Sequence, residues 1–372
     1  MYGLKQAGHE WYKTLEKILE IAGLKRYIGD EGTYVNNSGD IIIGTHVDDL
    51  VGIAPQDKDL DGIEASCEKS VELEKRGIPQ KILGMETTWN QEKSEVILKQ
   101  KSLIETMNTT YLLAEIQDPG KSGKRPSLPL DKEFFNPPNQ DESLGDPGKR
   151  KFQAIVGGLL FLNRMTRLDI SIQVNLLGRR SSNPSRANLT AALATLKYLW
   201  QTKSGGIILC KPRELNLVVY ADASYGGETS RLQSGVLLTL GDQPVGWYSR
   251  RQDVVALSIT EAEYIADCEG AKDIAWTQQL LQELKVKIET PILKTDSEGA
   301  YNLSQTAKFL RRSRHIQHRY HYIRQQAQNK AQMIVTIPGK ENLADHLTKL
   351  IPMSTIRAWK ELWMASSGKS SS

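Results

Sequence analysis

From residue 213 onward, short β-rich runs alternate with helix-length segments in one order, and that order leaves few folds open. Leu215–Ala221, Gly235–Leu240 and Pro244–Ser249 are strand candidates. A long helix follows over about Glu261–Leu284, and Ile292–Thr295 is a fourth strand. Helices fill Glu298–Lys330, Met333–Ile337 is a fifth strand, and a last helix starts after Pro338-Gly339. The series predicts an α/β layer, a mixed five-stranded sheet with flanking helices. Ala262, Ala266 and Gly270, four apart, would let the long helix lie close on that sheet.

Upstream the pattern differs. His9–Ala22 has Trp11, Leu15, Ile18, Leu19 and Ala22 at helical spacing. Ile41–Ile53 has two β-rich arms around a polar centre, which predicts a hairpin with Asp48 and Asp49 at its tip. Phe152–Met165 and Asn188–Trp200 read as helices packing on each other. Two stretches dense in turn formers, Asp118–Pro126 and Asn136–Gly148, separate the first block from these helices. The chain is therefore multidomain, α/β and α+β, with expected boundaries at 1–117, 118–150 (linker), 151–212 (helical connection), 213–364 and a frayed tail at 365–372.

The longest apolar run, Ile155–Leu162, has two glycines in 8 residues, whereas a membrane helix needs about 20. Nothing at the N-terminus resembles a secretion signal. Cys67, Cys210 and Cys268 are scattered, which argues against a disulfide framework or a cysteine-rich zinc site. An intracellular protein, cytoplasmic or nuclear, without membrane contact is expected. Lys and Arg number 48 against 44 Asp and Glu. Residues 1–125 carry 16 basic and 21 acidic side chains, residues 126–212 carry 12 and 6, and residues 213–372 carry 20 and 17. The basic excess thus lies in the last two thirds, as a polyanion-binding surface would have it.

Four acids stand at element ends in the last block: Asp222, Glu261, Asp296 and Asp345. Strand ends are where an α/β sheet exposes reactive groups. Each has a structural alternative. Asp222 could be a turn residue, Asp296 a helix cap, and Asp345 a partner of Asn342. Glu261 could form a capping box with Ser258, although Thr260 with Glu263 makes an equally good one. Read together, four converging carboxylates repel one another unless divalent cations neutralise them. An all-oxygen donor set favours Mg2+ or Mn2+ over zinc, and two such ions can clamp a phosphodiester for attack by water. Oxygens held far apart, or a cradle plugged with Lys or Arg, would sink that reading.

YADASYGG, SITEAEYIADCEGAKDIAW, LKTDSEGAYNLS, RHIQHRYHYIR and GKENLADHLTK, in this order and spacing, resemble the ribonuclease H domain of copia-type retrotransposon Pol polyproteins. The resemblance implies that Asp222, Glu261, Asp296 and Asp345 are the catalytic, metal-binding acids. It implies metal-dependent endonucleolytic hydrolysis of the RNA strand of an RNA/DNA hybrid, with two ions. Lys308, Arg311, Arg312, Arg314, His318, Arg319 and Arg324 form a basic segment with no acid between them, expected to face nucleic-acid phosphates.

The first block resembles the same family's reverse transcriptase. His46-Val47-Asp48-Asp49 corresponds to its Tyr-Val-Asp-Asp hairpin, with His46 in place of Tyr. Tyr2–Ala7, Trp11-Tyr12, Ile82–Met85, Ile155–Leu160 and Thr166–Ile170 continue the likeness. Residues 1–117 would then be a truncated polymerase palm/thumb. The family supplies a further Asp from a strand preceding Tyr2, so the expectation is an incomplete polymerase site with Asp48 and Asp49 as relics. The alternative expectation is a catalytically decayed nucleic-acid-binding fragment. Either form could associate with the remaining polyprotein parts or a second chain.

Overall fold

The computed structural model of the chain describes residues 6–92, 94–112, 127–136, 143–224, 232–306 and 321–364. The expected tail, residues 118–126 and 137–142 of the expected linker, and six of the seven basic-segment residues lie outside them. The described residues form two compact units.

The first unit holds residues 1–83 and Ala275–Ile288. Helix α1 (Ala7–Ile21) buries Leu15, Ile18 and Leu19, the stripe read from the sequence. Strands β1 (Leu24–Arg26), β2 (Thr33–Asn36), β3 (Ile42–His46) and β4 (Asp49–Ile53) form an antiparallel meander in chain order. Its core joins Leu15 and Leu19 to Leu24, Tyr34, Ile43 and Cys67, the last from α2 (Asp57–Glu68). A two-residue strand, β5 (Lys81–Ile82), follows.

In the second unit, β6 (Met85–Trp89) pairs with β7 (Glu95–Lys99), and β7 pairs with β8 (Ile207–Cys210). This pairing draws residues 84–112, expected with the first block, into the second unit. Helices α3 (Lys101–Leu112), α4 (Asp146–Met165), α5 (Ser171–Gly178) and α6 (Arg186–Gln201) share one core built on Ile104, Phe152, Ile155, Leu159, Leu196 and Leu199. Ser185 caps α6 by accepting the Asn188 N–H, and Asn188 reciprocates.

The mixed five-stranded sheet is built as the sequence predicts. It contains β9 (Leu217–Ser224), β10 (Gln233–Leu240), β11 (Gln243–Arg251), β12 (Ile292–Thr295) and β13 (Met333–Thr336), in the spatial order β11-β10-β9-β12-β13. The first three pair antiparallel, while β9, β12 and β13 run parallel. Helix α7 (Ile259–Glu283) lies on one face; its last turns, from Ala275, group with the first unit. A Cβ at Gly270 would stand 2.9 Å from both Leu293 and Val219. The small-residue row therefore does what its spacing suggested, and lets the helix touch the sheet. Helices α8 (Glu298–Gln305), α9 (Tyr322–Gln328), α10 (Asp345–Thr348) and α11 (Met353–Trp363) complete the unit. On the opposite face α10 packs on β9 and β10 and against α5. There a Cβ at Gly235 would stand 2.7 Å from Leu347 and Thr348, so the glycine makes room for α10.

Candidate metal centre

Strand alternation sends Ala221 and Ala223 toward α7 and Asp222 toward α10. Asp222 is 1% exposed. Its carboxylate accepts the Thr348 hydroxyl and an N–H of Lys349 at 3.3 Å, so it is no turn residue. Asp296 follows β12, but Ser297, not Asp296, caps α8 by accepting the Ala300 N–H. Instead Asp296 Oδ1 accepts from Asn342 Nδ2 at 3.1 Å, and the same amide donates to the Ala221 carbonyl at 2.8 Å. Asn342 is thus committed to the sheet and leaves Asp345 free to project from the start of α10. One carboxylate oxygen each from Asp222, Asp296 and Asp345 lies within 4.8 Å of the others.

Glu261 does not join them. Its Oε2 accepts the Leu257 N–H at 2.7 Å while Ser258 Oγ accepts the Glu261 N–H at 3.1 Å. Together the two bonds fasten the start of α7 much as the capping alternative open in the sequence would, with the carboxylate reaching Leu257, one residue before Ser258. The glutamate that faces the cluster is Glu263, whose Oε2 accepts the Ala223 N–H at 2.9 Å, one residue beyond Asp222. Beside the cluster the structure therefore places Glu263, not the expected Glu261. The signal was present: Glu263, Asp267 and Gly270 fall at i, i+4 and i+7, on the side of α7 that meets the sheet.

Burial, with Asp222, Asp267 and Asp296 nearby, pushes the Glu263 carboxyl up to about 9. Burial likewise raises Asp222 to about 6, against the pull of Lys349 and Thr348. Asp267, fully enclosed, is also raised well above the carboxylate range, first by burial and then by Asp296 and Asp222. Burial thus favours the protonated form of Glu263 beside the cluster, and a divalent ion held by Glu263 would have to displace that proton.

A basic side chain is already present. Lys349 Nζ bonds Asp345 at 2.5 Å and Asp222 at 3.3 Å, which departs from the expected cradle free of Lys and Arg. Burial disfavours that ammonium, but Asp222 and Asp345 outweigh it and raise its pKa. Its side chain is 44% exposed and bonds neither Asp296 nor Glu263. An unbranched, half-exposed stem can leave without disturbing the core. The oxygen-only donor set and its evident attraction for a cation suit a hard divalent ion. His346 is turned away, stacked on Trp359 with ring centroids 4.6 Å apart, and burial lowers it to about 4.

Of the predicted phosphate-facing residues, Lys308, Arg311, Arg312, Arg314, His318 and Arg319 lie outside the described residues. Arg324 is corrected: it is 6% exposed, donates Nε–H to the Leu303 carbonyl at 2.7 Å, and lies over the Tyr264 ring. It is a packing residue of α9. In the first unit, Asp48 and Asp49 are exposed at the β3–β4 tip, where His46 pairs with Asp49. Trp11 Nε1 donates to the Val47 carbonyl at 2.8 Å and pins that tip to α1. Among the described residues no third carboxylate joins the pair in an ion-holding cluster.

The last block is thus a mixed five-stranded α/β sheet with acids gathered where β9 and β12 end. Residues 1–117 match the family model described as reverse transcriptase (RNA-dependent DNA polymerase). The chain is 30% identical over 368 residues to a retrovirus-related Pol polyprotein from transposon TNT 1-94 of Nicotiana tabacum, covering 97% of this chain and 27% of that protein. It is 30% identical over 362 residues to the Pol polyprotein from transposon RE2 of Arabidopsis thaliana, covering 96% and 24%. It is 31% identical over 283 residues to a putative transposon Ty5-1 protein of Saccharomyces cerevisiae, covering 74% and 87%. A solved structure of LC11-RNase H1 in complex with RNA/DNA hybrid is similar at 18% identity and TM-score 0.28, covering 36% of this chain and 93% of that one. The chain belongs to the copia-type retrotransposon Pol family, and residues 1–117 fall in its reverse transcriptase region. It spans about a quarter of the two plant polyproteins. Among the described residues no helix is long and apolar enough to cross a membrane.

Proposed function

We propose that the chain is a retrotransposon-derived reverse transcriptase/ribonuclease H segment that hydrolyses the RNA strand of RNA/DNA hybrids at Asp222, Glu263, Asp296 and Asp345. The observation that carries this reading is the convergence of Asp222, Asp296 and Asp345 oxygens, from three separate elements, to within 4.8 Å. The four acids would hold Mg2+ or Mn2+, two ions in all, which when bound supply an activated water and offset charge on the phosphodiester. Thr348 orients Asp222 and Asn342 orients Asp296. Selection of RNA over DNA would rest on the 2′-hydroxyl. Purified full-length chain with magnesium is expected to cut a labelled hybrid, and Asp222→Asn and Asp296→Asn to lose the activity. Equal cleavage by wild type and both variants would remove the assignment.

Lys349 favours a second reading, a decayed fragment that holds nucleic acid without cutting it. Hybrid binding that weakens with salt, with no magnesium-dependent cleavage, would support it. We also infer that Asp48 and Asp49 do not polymerise DNA in this chain. Template-primed nucleotide incorporation by the purified chain, lost in Asp49→Asn, would overturn that.

A further inference from the structure

A second charged cluster lies on the Asp222 face of the sheet. Gln233 pairs across the ladder with both Ser224 and Arg251, and Gly235, two residues on, pairs with Asp222. By strand alternation Asp222, Gly235, Gln233 and Arg251 all face the α5–α10 side. Arg179, just past the end of α5, donates an N–H to Gln233 Oε1 and its Nε–H to Asn175 Oδ1 at 3.0 Å. Gln233 and Asn175 are themselves fixed, each donating to Ser249 at 2.7 Å, one to its hydroxyl and the other to its carbonyl.

These contacts hold the Arg179 guanidinium in one place, yet no carboxylate among the described residues pairs with Arg179 or Arg251. The neighbouring Arg250, on the opposite face, shows the ordinary solution: it pairs with Glu269 at 2.9 Å and stacks on Tyr248. Burial, then Arg251 and Arg180, lower Arg179 to about 10, so it stays charged at neutral pH and sits among repelling cations. A half-buried guanidinium fixed by neutral amides, with a second arginine nearby and no acid paired to either, is arranged for an anion from outside. With standard strand rise and spacing, Gln233 and Arg251 stand roughly 8 and 12 Å from Asp222 at the backbone. A nucleic-acid strand engaged at the acids would carry further phosphates across that distance.

We propose that Arg179 and Arg251 form a phosphate subsite for the backbone of the hybrid, built jointly by the helical connection and the edge strand β11. It rests on the reading of this face as a nucleic-acid surface, but not on cleavage. The test therefore measures binding of a fluorescent RNA/DNA hybrid to the full chain in EDTA, over a series of KCl concentrations. Arg251→Gln is expected to weaken binding several-fold at low salt and to lower the slope of log affinity against log salt by about one. Arg251→Lys should restore the slope. Arg179→Gln should act alike, and circular dichroism checks that each variant is folded. A folded Arg251→Gln variant with the wild-type slope overturns the subsite, whether or not the chain cleaves. A chain that shows the slope change and no cleavage keeps the subsite and loses the nuclease.

Discussion

Replacing Glu263 by Gln is expected to abolish hybrid cleavage, whereas replacing Glu261 by Gln, two residues earlier, should leave it at the wild-type rate. Loss of an outer-shell partner of a metal ligand already costs about 10–100-fold, so loss of a ligand should cost at least about 100-fold. Glu261 is tied up in the Leu257 and Ser258 cap, and its loss should cost only about 0.5–2 kcal/mol of stability. Thermal stability in EDTA should move in opposite directions. The Glu263 carboxyl is raised to about 9 in the folded chain and ionises near 4.3 when unfolded. A raised group contributes stability that is present below its unfolded value and is lost as pH rises through the folded one. Glu263→Gln removes that loss, so the variant should melt higher than wild type at pH 8 and close to it at pH 4. Glu261→Gln should melt lower at pH 8. Cleavage that survives Glu263→Gln and vanishes in Glu261→Gln would return the fourth position to Glu261.

The two glutamates also mark where sequence reading ends. The sheet was legible because its period-2 runs are short, bounded and separated by helix-length segments. Ile292–Thr295 falls where expected, and the other strands differ by only a few residues at their ends. Three of the four acids were legible because each sits at an element end. Choosing between Glu261 and Glu263 required knowing which of two overlapping capping boxes closes. Ser258 with Glu261 and Thr260 with Glu263 satisfy the same local rule, and only packing against Ala223 decides between them. Lys349 was illegible for a related reason. It lies one helical turn after Asp345, but its reach to Asp222 depends on α10 seating over Gly235. Arg324 belongs to a run that is basic by composition. Its burial follows from tertiary contacts with Leu303 and Tyr264, not from any local pattern.

Arg167→Met should destabilise the second unit by about 3–5 kcal/mol, the cost of removing one partner from a buried ion pair. Arg167 and Asp169 have fully buried side chains and pair in a two-pronged contact at 2.9 and 2.8 Å. Asp169 Oδ2 also accepts from the Tyr198 hydroxyl at 2.6 Å and lies 3.2 Å from Lys360 Nζ, which brings α11 into the network. Arg167 itself donates to both the hydroxyl and the carbonyl of Thr202. Removing the guanidinium leaves Asp169 with only the Tyr198 hydroxyl and Lys360 and takes one donor from the Thr202 carbonyl, so part of the desolvation penalty of those groups appears. Lys360→Met, which leaves the two-pronged pair intact, should cost less. Replacing Arg167, Asp169 and Lys360 together by apolar residues should cost less than Arg167→Met alone, since no uncompensated charge remains. Urea unfolding of the full chain, followed by circular dichroism, ranks the three. The ordering has a consequence for the acids, because Leu347 of α10 and Trp359 and Trp363 of α11 share one apolar cluster. A network that fixes α11 also fixes the short helix carrying Asp345. An Arg167→Met chain that unfolds at the wild-type urea concentration would show that this buried charge does not anchor the C-terminal helices.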